Sequence, residues 1–103
     1  MKVLLDACVP RKLRDYLTGC KVSTAQEMGW GQLKNGDLLR AAGKHFDVFL
    51  TSDKNIKHQQ NLTGRKLAIL VLPTDDWTVL RVKADVVSSA LQKMSPGEYV
   101  QLH

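Results

Sequence analysis

Asp47-Val48-Phe49-Leu50-Thr51-Ser52-Asp53 sets three consecutive apolar side chains between two acids. Successive side chains of a strand point to opposite faces, so this run presents apolar groups on both sides of a sheet. Such a strand belongs at the centre of a parallel sheet with helices over each face, not in an antiparallel sheet with one wet side. Leu67-Ala68-Ile69-Leu70-Val71-Leu72 has the same character and is ended by Pro73, which cannot donate to a ladder. Upstream, Lys2-Val3-Leu4-Leu5 is a short aliphatic strand that closes at Asp6.

Helical patterns lie between these runs. Pro10 suits a first helical position, with Leu13 and Leu17 on one face and Gly19 as the stop. Lys21 to Ala25 reads as a weak second strand, and Gln26 to Gln32 as either one helical turn or a loop. Asn35-Gly36-Asp37 starts a helix with Asn35 as its cap, carrying Leu38, Leu39, Ala41 and Ala42 and closed by Gly43. Ser52-Asp53 caps a short polar helix running toward Gln60. Asp75 and Asp76 cap the longest helix, whose Val79, Leu80, Val82, Val86, Val87, Ala90, Leu91 and Met94 form a broad apolar stripe. Pro96-Gly97 turns the chain into a half-exposed edge strand from Glu98 to Leu102. The alternation predicts an α/β fold, a three-layer sandwich around a mostly parallel sheet of four or five strands. Residues 1–103 are expected to form a single domain, with a radius of gyration of about 13 Å.

Composition agrees with a packed domain: 44% of residues are hydrophobic and 24% charged, which argues against disorder. The longest apolar run, Leu67 to Leu72, is far short of the roughly 20 residues that span a bilayer, so no membrane association is expected. Asp6 interrupts any signal-peptide core, and the expected compartment is the cytoplasm. Cys8 and Cys20 fit neither a disulfide framework nor a zinc spacing, and read as reduced, buried or incidental thiols. Fifteen Lys and Arg against ten Asp and Glu leave a net charge of +5, which favours an anionic partner such as RNA.

In parallel α/β sheets, ligands gather outside the carboxyl ends of the strands. Asp6 stands there directly after strand one and Asp53 two residues after strand three. Asp53 also suits a helix cap, and Asp37 a first-turn acid that complements the helix dipole. Glu27 lies on the ambiguous turn after strand two. Two carboxylates 4 Å apart repel by about 4 kcal/mol at an effective dielectric near 20, and a divalent cation relieves that repulsion. Oxygen donors without His or Cys suit Mg²⁺ or Mn²⁺, ions that hold phosphates and activate water. Arg11, Arg14, Lys54 and Lys57 flank the acids and are the expected RNA contacts.

Met1-Lys2-Val3-Leu4-Leu5-Asp6 followed by Pro10, Asn35-Gly36-Asp37-Leu38-Leu39, and Phe46 through Asn55 together resemble the short PIN-like family, bacterial relatives of the PIN-domain ribonuclease toxins. The resemblance covers most of the chain, including Gln59 to Arg65 and Pro96-Gly97-Glu98-Tyr99, and rests on the order and spacing of these motifs. It implies a compact parallel α/β fold with acids clustered over the sheet, Mg²⁺-dependent RNA cleavage and pairing with an antitoxin protein. Position by position, Asp6 matches the first metal ligand, Asp37 the acid that begins the middle helix, and Asp53 the acid of the Thr-x-Asp motif. Two positions depart from the family pattern: Ala7 stands where many relatives carry Glu, and Asn55 where they carry a second acid. The leading reading is a ribonuclease with Asp6, Asp37 and Asp53 as metal ligands and catalytic acids, and with Glu27 and Asn55 as auxiliaries. The alternative is a PIN-like module of reduced catalytic strength that binds RNA or a partner protein. RNA, an antitoxin and a second copy of the chain are the candidate partners. A phosphoacceptor receiver domain is set aside, because the single acid in Asp6-Ala7 does not supply the paired acids that such a domain needs.

Overall fold

The computed structural model describes residues 1–56 and 65–103. Strands β1 (Lys2–Leu5), β2 (Lys21–Thr24), β3 (Val48–Thr51), β4 (Ala68–Val71) and β5 (Tyr99–Gln101) form one sheet in the order β2-β1-β3-β4-β5. Every neighbouring pair is parallel, in a register that aligns Leu5 with Thr24 and Leu50, and Thr51 with Val71. β3 and β4 are buried along their whole length, as their unbroken apolar runs require. The expected α/β class and parallel sheet are therefore present, and the sheet has five strands.

The pleat divides the core into two layers. Val3, Leu5, Val48, Leu50, Ala68 and Leu70 face one side. There they meet Leu13 and Leu17 from the connection after β1, and helices α2 (Trp77–Leu80) and α3 (Ala84–Lys93). Leu4, Phe49, Ile69 and Val71 face the other side, beneath Leu38, Leu39 and Ala42 of α1 (Asn35–His45). Each fully buried Leu or Phe contributes about 1.5–3 kcal/mol by leaving water, so these alternating side chains both stabilise the sheet and fix its register. The Cα radius of gyration is 12.3 Å.

Four local expectations are corrected. The segment after β1 is a 3-10 helix, Arg11–Tyr16. It rises about 2.0 Å per residue against 1.5 Å for an α-helix, so six residues reach back along most of a four-residue strand. Asn35 does not cap α1: Lys34 occupies the cap position without a side-chain bond, and the Asn35 amide is used elsewhere. Gly43 does not close α1, which continues to His45 before Phe46 packs against the core. The long C-terminal helix is interrupted by a 3-10 turn, Arg81–Lys83. Only Leu80, Ala84, Val87 and Leu91 of that helical stretch are fully buried, while Val79, Val82 and Val86 of the expected stripe face outward. The polar helix expected toward Gln60 lies mostly outside the described residues.

Glycine is required at position 97. Gly97 has φ +77°, and a Cβ there would lie 2.5 Å from the Arg65 carbonyl oxygen. Its N–H donates to the Lys66 carbonyl at 2.8 Å, which ties the turn before β5 to the entry of β4. Gly43, by contrast, is helical with open space around its Cα. Gly97→Ala is expected to lose at least about 2 kcal/mol, from left-handed backbone strain plus the clash. Gly43→Ala should gain up to about 1 kcal/mol. Urea denaturation of both variants beside the parent measures the two signs.

Candidate functional site

The chain leaves β1 toward the layer that holds Leu13 and leaves β3 toward the layer that holds Ile56. The two departures diverge and open a crevice at the carboxyl ends of adjacent strands, the switch point of a doubly wound sheet. Asp6 sits in it, half-buried. Its backbone N–H donates to the Leu50 carbonyl at 2.9 Å, which extends the ladder one residue beyond β1. The carboxylate is held on both oxygens: Oδ1 accepts from the Ala7 N–H at 2.8 Å, and Oδ2 from the Thr51 hydroxyl at 2.8 Å. Thr51 Oγ1 also accepts from the Asp53 N–H at 3.1 Å, so one fully buried hydroxyl links the two acids that the sequence singles out.

Asp53 is oriented in the same manner. Its Oδ1 accepts from the Asn55 N–H at 2.9 Å, and its Oδ2 from the Asn35 side-chain amide at 3.2 Å. Asn35 thus brings the start of α1 to the crevice. Burial, and after it the Asp53 charge, push the Tyr99 phenol above its ordinary pKa. Asp53 accepts from the N–H two residues on, as a capping acid does, and also receives Asn35; the helix it is expected to cap lies mostly outside the described residues.

The other expected site residues make contacts of their own. Asp37, in the first turn of α1, is exposed and paired with Arg40. Asn55 contributes its backbone N–H to Asp53, and its side chain is exposed. Glu27 is engaged with β2: its Oε1 accepts from the Thr24 N–H at 2.9 Å and from Arg14 Nη2 at 2.6 Å, while the Glu27 N–H donates to Thr24 Oγ1 at 3.1 Å. This reciprocal pair is a capping box closing a single turn, which resolves the choice left open for residues 26–32. Arg11 lines a cleft of about 330 Å³ with Ala7, Val9, Thr24 and Gln26, beside the crevice. Lys54 is exposed next to Asp53, and Lys57 lies outside the described residues.

Sequence reasoning missed three residues of the crevice. Thr51 read as the end of a strand and the first residue of the Thr-x-Asp motif, with no site role of its own, although a hydroxyl at the last buried position of a central strand has to find a polar partner beyond it. Asn35 read as a cap. Cys8 read as an incidental or buried thiol but is exposed, accepting from Ser52 Oγ at 3.1 Å and lying 3.6 Å from Asp6 Oδ2. The chain matches no family model, no curated protein and no solved structure.

Among the described residues, no group of three or more His, Cys, Asp or Glu side chains is arranged to hold a metal ion. The pair Asp6 and Asp53 nevertheless suits a hard cation in donor chemistry. A carboxylate oxygen that accepts one hydrogen bond keeps a further lone pair, and Mg²⁺ binds through one or two carboxylates while keeping several waters.

Hydrogen bonding from the Thr24 backbone, then from Arg14, holds the Glu27 carboxyl below its ordinary pKa of 4.5. A carboxyl whose pKa falls on folding contributes stability that is present above 4.5 and lost as pH drops through the folded value, since the unfolded chain binds the proton first. Denaturation midpoints of the Glu27→Gln variant are expected to depend less steeply on pH below 4.5 than those of the parent.

Proposed function

We propose that the chain is a Mg²⁺- or Mn²⁺-dependent ribonuclease of the PIN-like type, working at the crevice between β1 and β3. The observation that carries this reading is the pairing of Asp6 and Asp53 through the Thr51 hydroxyl at the carboxyl ends of two adjacent central strands. The resemblance of the Asp6, Asp37 and Asp53 motifs to that family adds to it. Asp6 and Asp53 hold the cation, which polarises a phosphodiester and activates water when bound. Thr51, Asn35 and the Ala7 and Asn55 N–H groups keep the two carboxylates turned into the crevice, as outer-shell partners of a metal site do. Asp37, in the first turn of α1 and paired with Arg40, is the third acid that the resemblance assigns to the site. Toxin action with an antitoxin partner is the biological setting that the resemblance suggests.

One observation favours the second reading, a PIN-like module that binds RNA or a partner protein without strong catalysis. Asp37 is held by Arg40, and Ala7 and Asn55 contribute no carboxylate, so two acids carry the charge where a strong site uses three or four. Titration with Mg²⁺ separates the readings. On the nuclease reading, Mg²⁺ raises the melting temperature of the parent saturably and supports cleavage of single-stranded RNA. Asp6→Asn abolishes both effects while the melting temperature in chelator changes little. A parent protein that binds RNA but shows no Mg²⁺-dependent shift belongs to the second reading.

The basic residues divide on the same surface. Arg14 is committed to Glu27, whereas Arg11 and Lys54 are exposed beside the crevice. Single-strand affinity falls by about 0.7 logarithmic units per neutralised phosphate for each tenfold rise in salt. Replacing both Arg11 and Lys54 with Ala should flatten that slope by roughly 1.4 units, two phosphates' worth. Arg14→Ala should lower stability and leave the slope nearly unchanged. Filter binding of a labelled oligonucleotide across a salt series measures both slopes.

A further inference from the structure

Lys2 and Lys21 are partners in the register of β1 and β2, and neighbouring strands run about 4.8 Å apart. Residues aligned in a parallel pair point to the same face, and Lys2 shares its face with Leu4, beneath α1. Two ammonium groups are thus rooted side by side on the α1 face, where they repel each other. Among the described residues neither meets a carboxylate: the ion pairs there are Arg14 with Glu27 and Arg40 with Asp37. Asp47, just before β3, turns its Oδ2 onto the Lys2 backbone N–H at 2.7 Å. Lys2, Lys21, Ser23, Met28, His45 and Phe46 line a cleft of about 220 Å³ at the amino ends of the two strands. His45, the last residue of α1, is held there by ring contact with Trp30 at a centroid distance of 6.1 Å, and Trp30 is braced edge-on by Phe46 at 6.0 Å.

A cleft with two unpaired lysines, a histidine and a hydroxyl in its wall, and no carboxylate, suits an anion. The carbonyl end of α1 works against one, and Lys44 and His45 in the last turn offset that end. We propose that the cleft binds a dianionic phosphate group, with Lys2 and Lys21 on its oxygens and the Ser23 hydroxyl and an N–H of the His45 ring as further donors. The charge decides between anions. A terminal phosphate carries close to two negative charges near neutral pH and offers three acceptor oxygens, so it serves both ammonium groups and removes their repulsion, whereas a carboxylate or a backbone phosphodiester balances only one. Lysine is a compact point charge that suits phosphate without the planar fork of arginine. The volume is below the roughly 300–1,000 Å³ of sites that enclose whole small molecules, so the cleft holds the phosphate group and leaves the rest of an ester outside. Free phosphate and the phosphorylated end of an RNA share this chemistry. The inference is independent of the ribonuclease reading, because the cleft lies at the amino ends of the strands and the crevice at their carboxyl ends.

Titration followed by NMR tests it, with the His45 ring and Ser23 amide signals read at about pH 7.5, where a phosphate monoester is mostly dianionic, in chelator and at constant ionic strength. The probes are inorganic phosphate, a single-stranded RNA oligonucleotide with a 5′-phosphate, and the same oligonucleotide with a 5′-hydroxyl end. Inorganic phosphate should shift both signals saturably, with a dissociation constant of about 1–10 mM. The double variant Lys2→Gln with Lys21→Gln should bind at least about tenfold more weakly, and Lys2→Arg with Lys21→Arg, which keeps both charges, should bind nearly as the parent does. Both lysines are exposed, circular dichroism checks that the variants are folded, and the titration of the parent stands without them. A phosphorylated oligonucleotide that binds more tightly than its hydroxyl-ended counterpart identifies an RNA end as the source of the phosphate; two oligonucleotides that act alike beside a saturable response to inorganic phosphate identify free phosphate. Parent signals that do not saturate with inorganic phosphate or with the phosphorylated oligonucleotide up to about 50 mM phosphate groups overturn the proposal. Saturable shifts that the double glutamine variant retains overturn it as well, and so does a hydroxyl-ended oligonucleotide that binds as tightly as the phosphorylated one while inorganic phosphate has no effect.

Discussion

Two backbone hydrogen bonds just beyond the end of β1 govern the geometry of this protein. The Asp6 N–H donates to the Leu50 carbonyl, and the Ala25 N–H to the Leu5 carbonyl, each at 2.9 Å. Together they hold the end of β1 between both neighbours before the chain departs. The strand is buried at Val3, Leu4 and Leu5, so Asp6 is the first polar side chain that can emerge from the centre of the sheet. β1 and β3 send the described residues that follow them, Leu13 after one and Ile56 after the other, into opposite layers. The acid is thereby half-exposed in a crevice whose floor is rigid, the arrangement in which a polar group can be positioned by the scaffold and not by a mobile loop.

The strands and their parallel pairing were legible because doubly buried strands leave a clear sequence trace in Val48-Phe49-Leu50 and Ala68-Ile69-Leu70-Val71. Asp6 and Asp53 were legible as neighbours for the same reason: two central strands end where two acids stand. What the sequence hid was how side chains divide their hydrogen bonds. Asn35 had two outlets, a helix cap or a partner across the crevice, and local sequence offers the first while the register of β3 supplies the second. Gly43 looked like a stop because glycine often follows a helix, yet the helix continues until Phe46 reaches the core. The outward turn of Val79, Val82 and Val86 was equally hidden. A run with apolar residues at so many positions supports more than one buried face, and the 3-10 turn at Arg81–Lys83 shifts the phase between its halves.

The basic residues show why charge alone is a coarse guide to partners. Arg11 and Arg14 share a face of the 3-10 helix, where residues three apart eclipse, and by sequence they are equivalent. The fold separates them. Glu27, fixed by its capping box with Thr24, lies within reach of Arg14 and draws that guanidinium across the edge of β2, which leaves Arg11 to the solvent beside the crevice. One arginine braces the β2 turn and the other stays available to an anion, a difference set by a residue thirteen positions away from Arg14.

The crevice imposes its own constraint on the reading proposed for it. Asp6 and Asp53 have their carboxylates anchored by neutral donors, a hydroxyl, an amide and two backbone N–H groups. Neutral donors orient a carboxylate without cancelling its charge, so the negative potential of the pair stays directed outward. With Asp37 held by Arg40, two carboxylates would balance the charge of one divalent ion on the proposed reading. Cation and phosphate would on that reading reinforce each other's binding, because the cation would offset the repulsion that the phosphate would otherwise meet and the phosphate would add oxygen donors for the ion. On the proposed reading the crevice would therefore retain its cation more firmly together with a nucleic-acid backbone than alone.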